Sequence, residues 1–261
     1  MTIGDENSTD DVCLDVVTAA LLVIGDEILS GRTADKNIHS VANRCTLSGL
    51  QLREVRVVAD AEEEIVVALQ ALASRYDYVF TTGGIGPTHD DITADCVAKV
   101  FEVPLLEHPD AVKILMDHYP QGGLTDARRR MTRVPEGGAL IKNSISAAPG
   151  FIIENVIVMA GVPKIVEVML DDVFPKLRTG RKMVSISVQI SQPESRVAGL
   201  LADLDERYEG VSIGSYPFFR EGNVGATVVL RGLDEGELSE VAEVLIKGLE
   251  DKGYAFVVQE T

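Results

Sequence analysis

Basic residues are scarce in this 261-residue chain: 24 Lys and Arg stand against 41 Asp and Glu, a formal net charge of −17. Such an imbalance argues against nucleic acid and anionic membrane surfaces as partners, because their phosphates would be repelled. A small anionic ligand stays admissible, since a local loop or a metal ion overcomes the global field. Cysteine is almost missing as well. Cys13, Cys45 and Cys96 are the only three, odd in number and without metal-ligand spacing, which predicts reduced thiols and a cytoplasmic protein. Cys45 and Cys96 fall on apolar helix faces and read as core. No apolar run reaches the length of a membrane helix, and the amino terminus is acidic where a secretory signal would be basic and then apolar. Tandem repeats and low-complexity tracts are absent. Residues 1–16, acidic and poor in apolar side chains, predict a disordered leader.

What the chain does have is a hydrophobic content of 46%, enough for a packed core, arranged in two successive patterns. Residues 17–178 read as an α/β domain. A β-rich apolar run at 18–24 ends in Gly25-Asp26-Glu27-Ile28-Leu29. Helical spacing at 35–50 stops at Gly49, and residues 52–58 alternate as a second strand. Residues 61–75 carry Glu62, Glu63 and Glu64 at the start and an Ile65, Ala68, Leu69, Leu72 stripe, as a helix should. A third strand then enters a glycine-rich loop. This order implies a three-layer, doubly wound, mostly parallel sheet with right-handed crossovers. Further helices are expected at 109–119, 126–132 and 163–177, with short strands at 139–141, 150–153 and 156–160. After a boundary at Thr179-Gly180-Arg181, residues 182–261 run β-α-β-β-α-β, the ferredoxin-like split unit, without an evident catalytic constellation.

The loop Thr81-Thr82-Gly83-Gly84-Ile85-Gly86-Pro87-Thr88-His89-Asp90-Asp91 carries the chemistry. It joins a strand end to a helix start, where free backbone N–H groups and a positive dipole end meet an anion. It lacks the Gly-Lys-Ser/Thr end of a Walker A loop, and His89 stands where a dinucleotide fingerprint needs a small residue. Two carboxylates at its exit suit a site where a divalent cation bridges to a phosphate. In an open parallel sheet ligands bind beyond the carboxyl ends of strands where the order reverses. If the first and third strands are neighbours, Asp26 or Glu27 faces Asp90 and Asp91 across one crevice. Hard oxygen donors then suit Mg²⁺, Mn²⁺ or Co²⁺. Several readings stay open. The glycines also serve a tight turn, and Thr88 with Asp91 also fits a helix capping box. Asp26 also fits a helix cap, and Arg128-Arg129-Arg130 reads either as an ion-paired face or as a substrate-phosphate contact. Asn37, Asn143 and Ser144 are candidate neutral polar contacts. Of the four histidines, His89 is singled out only by its place in the loop.

The string Gly25-Asp26-Glu27-Ile28-Leu29, then Asn37, then Thr82-Gly83-Gly84-Ile85-Gly86-Pro87-Thr88-His89-Asp90-Asp91-Ile92-Thr93, resembles the molybdopterin-binding-like domain of MoaB/Mog proteins. Its Pro-Thr-x-Asp-Asp form is more similar to the amino-terminal domains of CinA proteins and of eukaryotic FAD synthase. Gly214-Ser215-Tyr216-Pro217 resembles the segment that follows this domain in those relatives. Ala160-Gly161-Val162-Pro163 departs from the Pro-Gly-x-Pro common in the family. The resemblance implies a small-molecule nucleotide or pterin phosphate as ligand, possible molybdopterin included, and self-association into a homo-oligomer. It yields three functional expectations: metal-dependent hydrolysis of a nucleotide pyrophosphate bond of the FAD or ADP-ribose type, pterin binding in molybdenum-cofactor metabolism, or non-catalytic nucleotide sensing. For the hydrolase, Asp90 and Asp91 are the expected catalytic pair. Asp26, Glu27, Asp90 and Asp91 are the expected metal ligands. Gly25, Asn37, Thr82, Gly83, Gly84, Gly86, Thr88 and Thr93 are the expected ligand-binding residues.

Overall fold

The computed structural model describes residues 16–120, 122–220 and 223–260; the leader expected at 1–16 lies outside them except for Val16. The chain divides into two compact units, up to Gly180 and from Arg181.

The first unit opens with β1 (Val17–Ile24), a one-turn helix α1 (Asp26–Leu29), α2 (Asn37–Ser48), β2 (Leu50–Val58), α3 (Glu62–Ala73), β3 (Tyr78–Thr82) and α4 (Thr93–Val100). It continues with β4 (Leu105–Glu107), α5 (Pro109–His118), α6 (Asp126–Arg129), β5 (Arg133–Pro135), β6 (Ala139–Ile141), β7 (Gly150–Ile153), β8 (Val156–Met159) and α7 (Pro163–Val173). Six strands form one sheet in the order β2-β1-β3-β8-β7-β6. The first four are parallel, and β7 and β6 add an antiparallel edge. Seven of the eight β1 residues are buried, because helices cover both faces of a parallel sheet and no side of the strand meets water. Ile65, Ala68, Leu69 and Leu72 of α3 pack with Val97 of α4 on one face. Val41 and Cys45 of α2 pack with Val166, Met169 and Leu170 of α7 on the other. Gly49 closes α2 in the left-handed region at φ 77°, the backbone most readily given by glycine.

Two sequence readings need adjustment. The helix expected over 126–132 is one α-turn, Asp126–Arg129, followed by a tighter 3₁₀ turn, Arg130–Thr132. The small β4–β5 ribbon is new; three-residue strands leave too little alternation to read.

The second unit is β9 (Val184–Ile190), α8 (Glu194–Arg207), β10 (Val211–Arg220), β11 (Asn223–Gly232), α9 (Glu235–Asp251) and β12 (Phe256–Glu260). Its antiparallel order β10-β11-β9-β12 is the ferredoxin-like arrangement. Val188 and Ile190 pack with Leu204 of α8 and Val241 and Leu245 of α9 on one face.

Candidate functional site

Chain order reverses at β1: β2 lies on one side and β3 on the other. Val23 stands beside Thr82 in register, so the turn after β1 and the glycine loop after β3 open side by side. Gly83 and Gly84 have φ values of 103° and 66°. A Cβ on Gly83 would sit 2.1 Å from the Ile24 carbonyl oxygen, and one on Gly84 would sit 2.1 Å from Thr93 Oγ1. Both positions therefore exclude a side chain on two grounds, conformation and space. Thr93, fully buried, fastens the turn by donating from Oγ1 to the Gly83 carbonyl at 3.0 Å. On the far side Gly161 approaches so closely that its Cβ would lie 3.3 Å from Gly83 Cα.

The two adjacent carboxylates have different surroundings. Asp91 accepts from Gly86 N–H and from Thr88 N–H, each at 2.7 Å, and from the Thr88 hydroxyl. It is the buckle of the loop, and the helix begins only at Thr93, so Thr88 and Asp91 form a loop closure and not a helix cap. This bears on two expectations: Asp91 spends its oxygens on the backbone where a metal ligand would face outward, and Gly86 N–H points at Asp91 and not at a phosphate. Arg130 holds the same turn from behind by donating to the Asp91 carbonyl at 3.1 Å. Arg129 pairs with Glu107, and Arg128 lies over the Tyr119 ring, so each arginine of the basic run has a protein partner. Asp90 is exposed. The Thr88 hydroxyl, its own backbone N–H and the neighbouring His89 hold its carboxyl below the ordinary range.

A crevice of about 500 Å³ lies over this turn, with Glu27, Asp60, Asp90 and Asp91 among its walls, within the usual size range of small-ligand pockets. Glu27 therefore faces the glycine loop, whereas Asp26 is exposed and outside the walls. Asp26 instead donates its N–H to Asp60 Oδ2 at 2.9 Å. Asp60, at the end of β2, went unnoticed in the sequence. The signal was available, because a carboxylate two residues past a predicted parallel strand lies at the ligand end of the sheet. Burial pushes the Asp60 carboxyl up, the Asp26 N–H opposes that, and repulsion from Asp26, Glu27 and Asp90 adds to the rise. Among the described residues, the crevice walls carry no lysine or arginine.

The other expected residues stand as follows. Gly25 donates its N–H to the Val58 carbonyl at 3.1 Å. Thr88 is exposed and tied to Asp91. Asn37 and Thr82 are buried at a second, smaller cavity beside the crevice. Asn143 reaches the wall, but its amide closes the 143–148 turn through Ser146 and the Ala148 carbonyl. Among the described residues no three His, Cys, Asp or Glu gather as a ready-made metal cage.

The family model described as "Probable molybdopterin binding domain" matches residues 20–179. The chain belongs to the molybdopterin-binding domain family. A second model, "FAD synthase, middle domain", matches residues 182–257 of this molybdopterin-binding-domain protein. A protein of Metallosphaera sedula is 35% identical over 174 residues, 64% of this chain and 66% of that one. A Caenorhabditis elegans protein named "Probable FAD synthase" is 31% identical over 261 residues, which cover 90% of this chain and 49% of the relative; the chain thus spans about half its length. The crystal structure of CinA from Thermoplasma acidophilum matches with 35% identity and a TM-score of 0.57, covering 60% of this chain and 95% of that one.

Proposed function

We propose that this crevice binds a nucleotide pyrophosphate of the FAD or ADP-ribose type and hydrolyses it with a divalent cation. The observation that carries the reading is the wall itself: a glycine turn at a strand end, bordered by carboxylates and by no lysine or arginine. An anion entering such a crevice requires a cation to accompany it, and Mg²⁺ typically uses one or two protein carboxylates together with substrate phosphates. Of Glu27, Asp60 and Asp90, one or two would fill that role, because the repulsion that adds to the burial-driven rise of Asp60 would be relieved by a bound cation. When present, the metal lowers the pKa of a bound water and offsets charge developing on the phosphate oxygens. The chain supplies the rest. Gly84 offers backbone N–H at the turn, the start of α7 at Val162 and Pro163 closes one wall, and Asp91 keeps the loop in shape. Similarity of the second unit to the FAD synthase middle domain, and of the whole chain to a relative named for FAD synthesis, supports an adenine dinucleotide as substrate class.

The second reading is pterin binding, favoured by the family match over residues 20–179. Turnover separates the two. With Mg²⁺ or Mn²⁺ at saturating substrate, Asp90→Asn should lower kcat by about a hundredfold or more, on the usual scale for losing charge stabilisation at a reacting centre. Full activity in that variant removes Asp90 from the site.

A further inference from the structure

The smaller cavity beside the crevice has a volume of about 50 Å³. It shares Ile24, Glu27, Thr33, Gly161 and Pro163 with the crevice, so the two adjoin. Asn37 and Thr82 stand in its wall, 4% and 1% exposed, and Asn37 Oδ1 and Thr82 Oγ1 have no hydrogen-bond partner. The amide orientation is fixed. Asn37 Nδ2 donates to the Gly161 carbonyl at 2.8 Å, and a flipped amide would set oxygen against oxygen. Oδ1 is therefore the atom left over. A buried polar group without a partner is destabilising, and native folds rarely keep one without a reason.

Size and chemistry restrict what fits. The space admits only a few water-sized groups, which rules out an aromatic base. A phosphate would meet the Asn37 acceptor together with Glu27 and Asp35, against one exposed lysine, Lys36. Neutral hydroxyls suit both orphaned atoms: one donates to Asn37 Oδ1, and a second exchanges a hydrogen bond with the Thr82 hydroxyl. We propose that this cavity is a sugar subsite. It takes the vicinal diol of a ribose whose phosphate lies against the Gly83-Gly84 turn, and it makes the protein selective for ribonucleotides. The proposal rests on the nucleotide reading above.

The test is a calorimetric titration of the full chain with AMP, 2′-deoxy-AMP and 3′-deoxy-AMP in the presence of Mg²⁺. Loss of a hydroxyl that pairs with a buried group should weaken binding by about tenfold or more. Thr82→Val, which keeps the side-chain shape, should weaken AMP while leaving one deoxy analogue unchanged, closing that gap. Asn37→Ser should close the gap for the other analogue, so neither variant decides alone. Equal affinity of the wild type for all three nucleotides overturns the subsite, and so does a failure to bind AMP. Turnover of FAD or ADP-ribose without hydroxyl preference defeats the subsite alone. Hydroxyl-selective AMP binding without turnover defeats the hydrolase reading and leaves the subsite standing.

Discussion

Asp90 and Asp91 are adjacent carboxylates in different surroundings, and under the proposed function substitution should separate them. Asp91 accepts three hydrogen bonds that close the glycine loop, so Asp91→Ala should lower stability by about 2 kcal/mol, the scale for hydrogen bonds to a charged group, and abolish turnover as well. Asp90→Asn should lower turnover by about a hundredfold or more with an unchanged midpoint in urea. Paired denaturation and rate measurements decide this, and equal stability losses in both variants would contradict the assignment. Asp60 makes a sharper case because its two expected effects have opposite sign. An Asn there keeps an oxygen for the Asp26 N–H and removes a charge that its neighbours repel. Metal-free Asp60→Asn should melt at or above the wild-type temperature, while the added stabilisation from Mn²⁺ shrinks. A lower metal-free Tm with an undiminished Mn²⁺ response would remove Asp60 from the metal set.

At the scale of elements, the turn after β3 permits only glycine at its first position. Gly83→Ala combines a φ of 103° with a Cβ 2.1 Å from a backbone oxygen, so it should cost about 2 kcal/mol or more and block ligand binding; a variant of wild-type stability would show that the turn relaxes freely. Asp77 anchors the other end of the same strand pair. It accepts from Thr18 N–H at 2.8 Å and Thr18 Oγ1 at 2.7 Å and pairs with Arg178 at 2.9 Å. Burial alone would raise its carboxyl, but the Thr18 hydrogen bonds and Arg178 hold it below the ordinary range. Its contribution is therefore fully present above the unfolded pKa of about 3.9 and is lost as pH falls through the lower folded value. Asp77→Asn should cost about 1 kcal/mol at pH 7, in keeping with a partly exposed pair, and the deficit should vanish toward pH 2. A deficit independent of pH would contradict this. Much of this architecture was legible in the chain. The Glu62-Glu63-Glu64 start and Ile65-Leu72 stripe gave α3, and Gly49 gave the end of α2; the β1–β3 pairing, a condition in the sequence reading, is supplied by the sheet order. Asp91's inward turn was not legible, because Thr-x-x-Asp before an apolar run has the same spelling as a capping box and only coordinates show that the helix waits for Thr93. Asp60 had a positional signal, two residues past the second strand, but its part in the crevice depends on β2 lying beside β1, a pairing the sequence leaves open.

At the scale of the whole molecule, a net charge of −17 opposes an anionic ligand, and the proposed function therefore requires a cation that arrives with the ligand. All the residues assigned to that work lie in the unit that ends at Gly180. No helix among the described residues is long and apolar enough to cross a membrane. The second unit keeps its own core around Val188, Val241 and Leu245, and the ferredoxin-like arrangement serves too many purposes to specify one.

The most direct test of the central claim is chromatographic product analysis of the purified chain incubated with FAD, ADP-ribose or NAD, each with Mg²⁺, Mn²⁺ or Co²⁺, beside Asp90→Asn. The account predicts AMP with the matching half-product, FMN from FAD or ribose 5-phosphate from ADP-ribose, in the wild type with metal, and neither without metal nor in the variant. No AMP under any combination would contradict hydrolysis and shift the assignment to pterin binding.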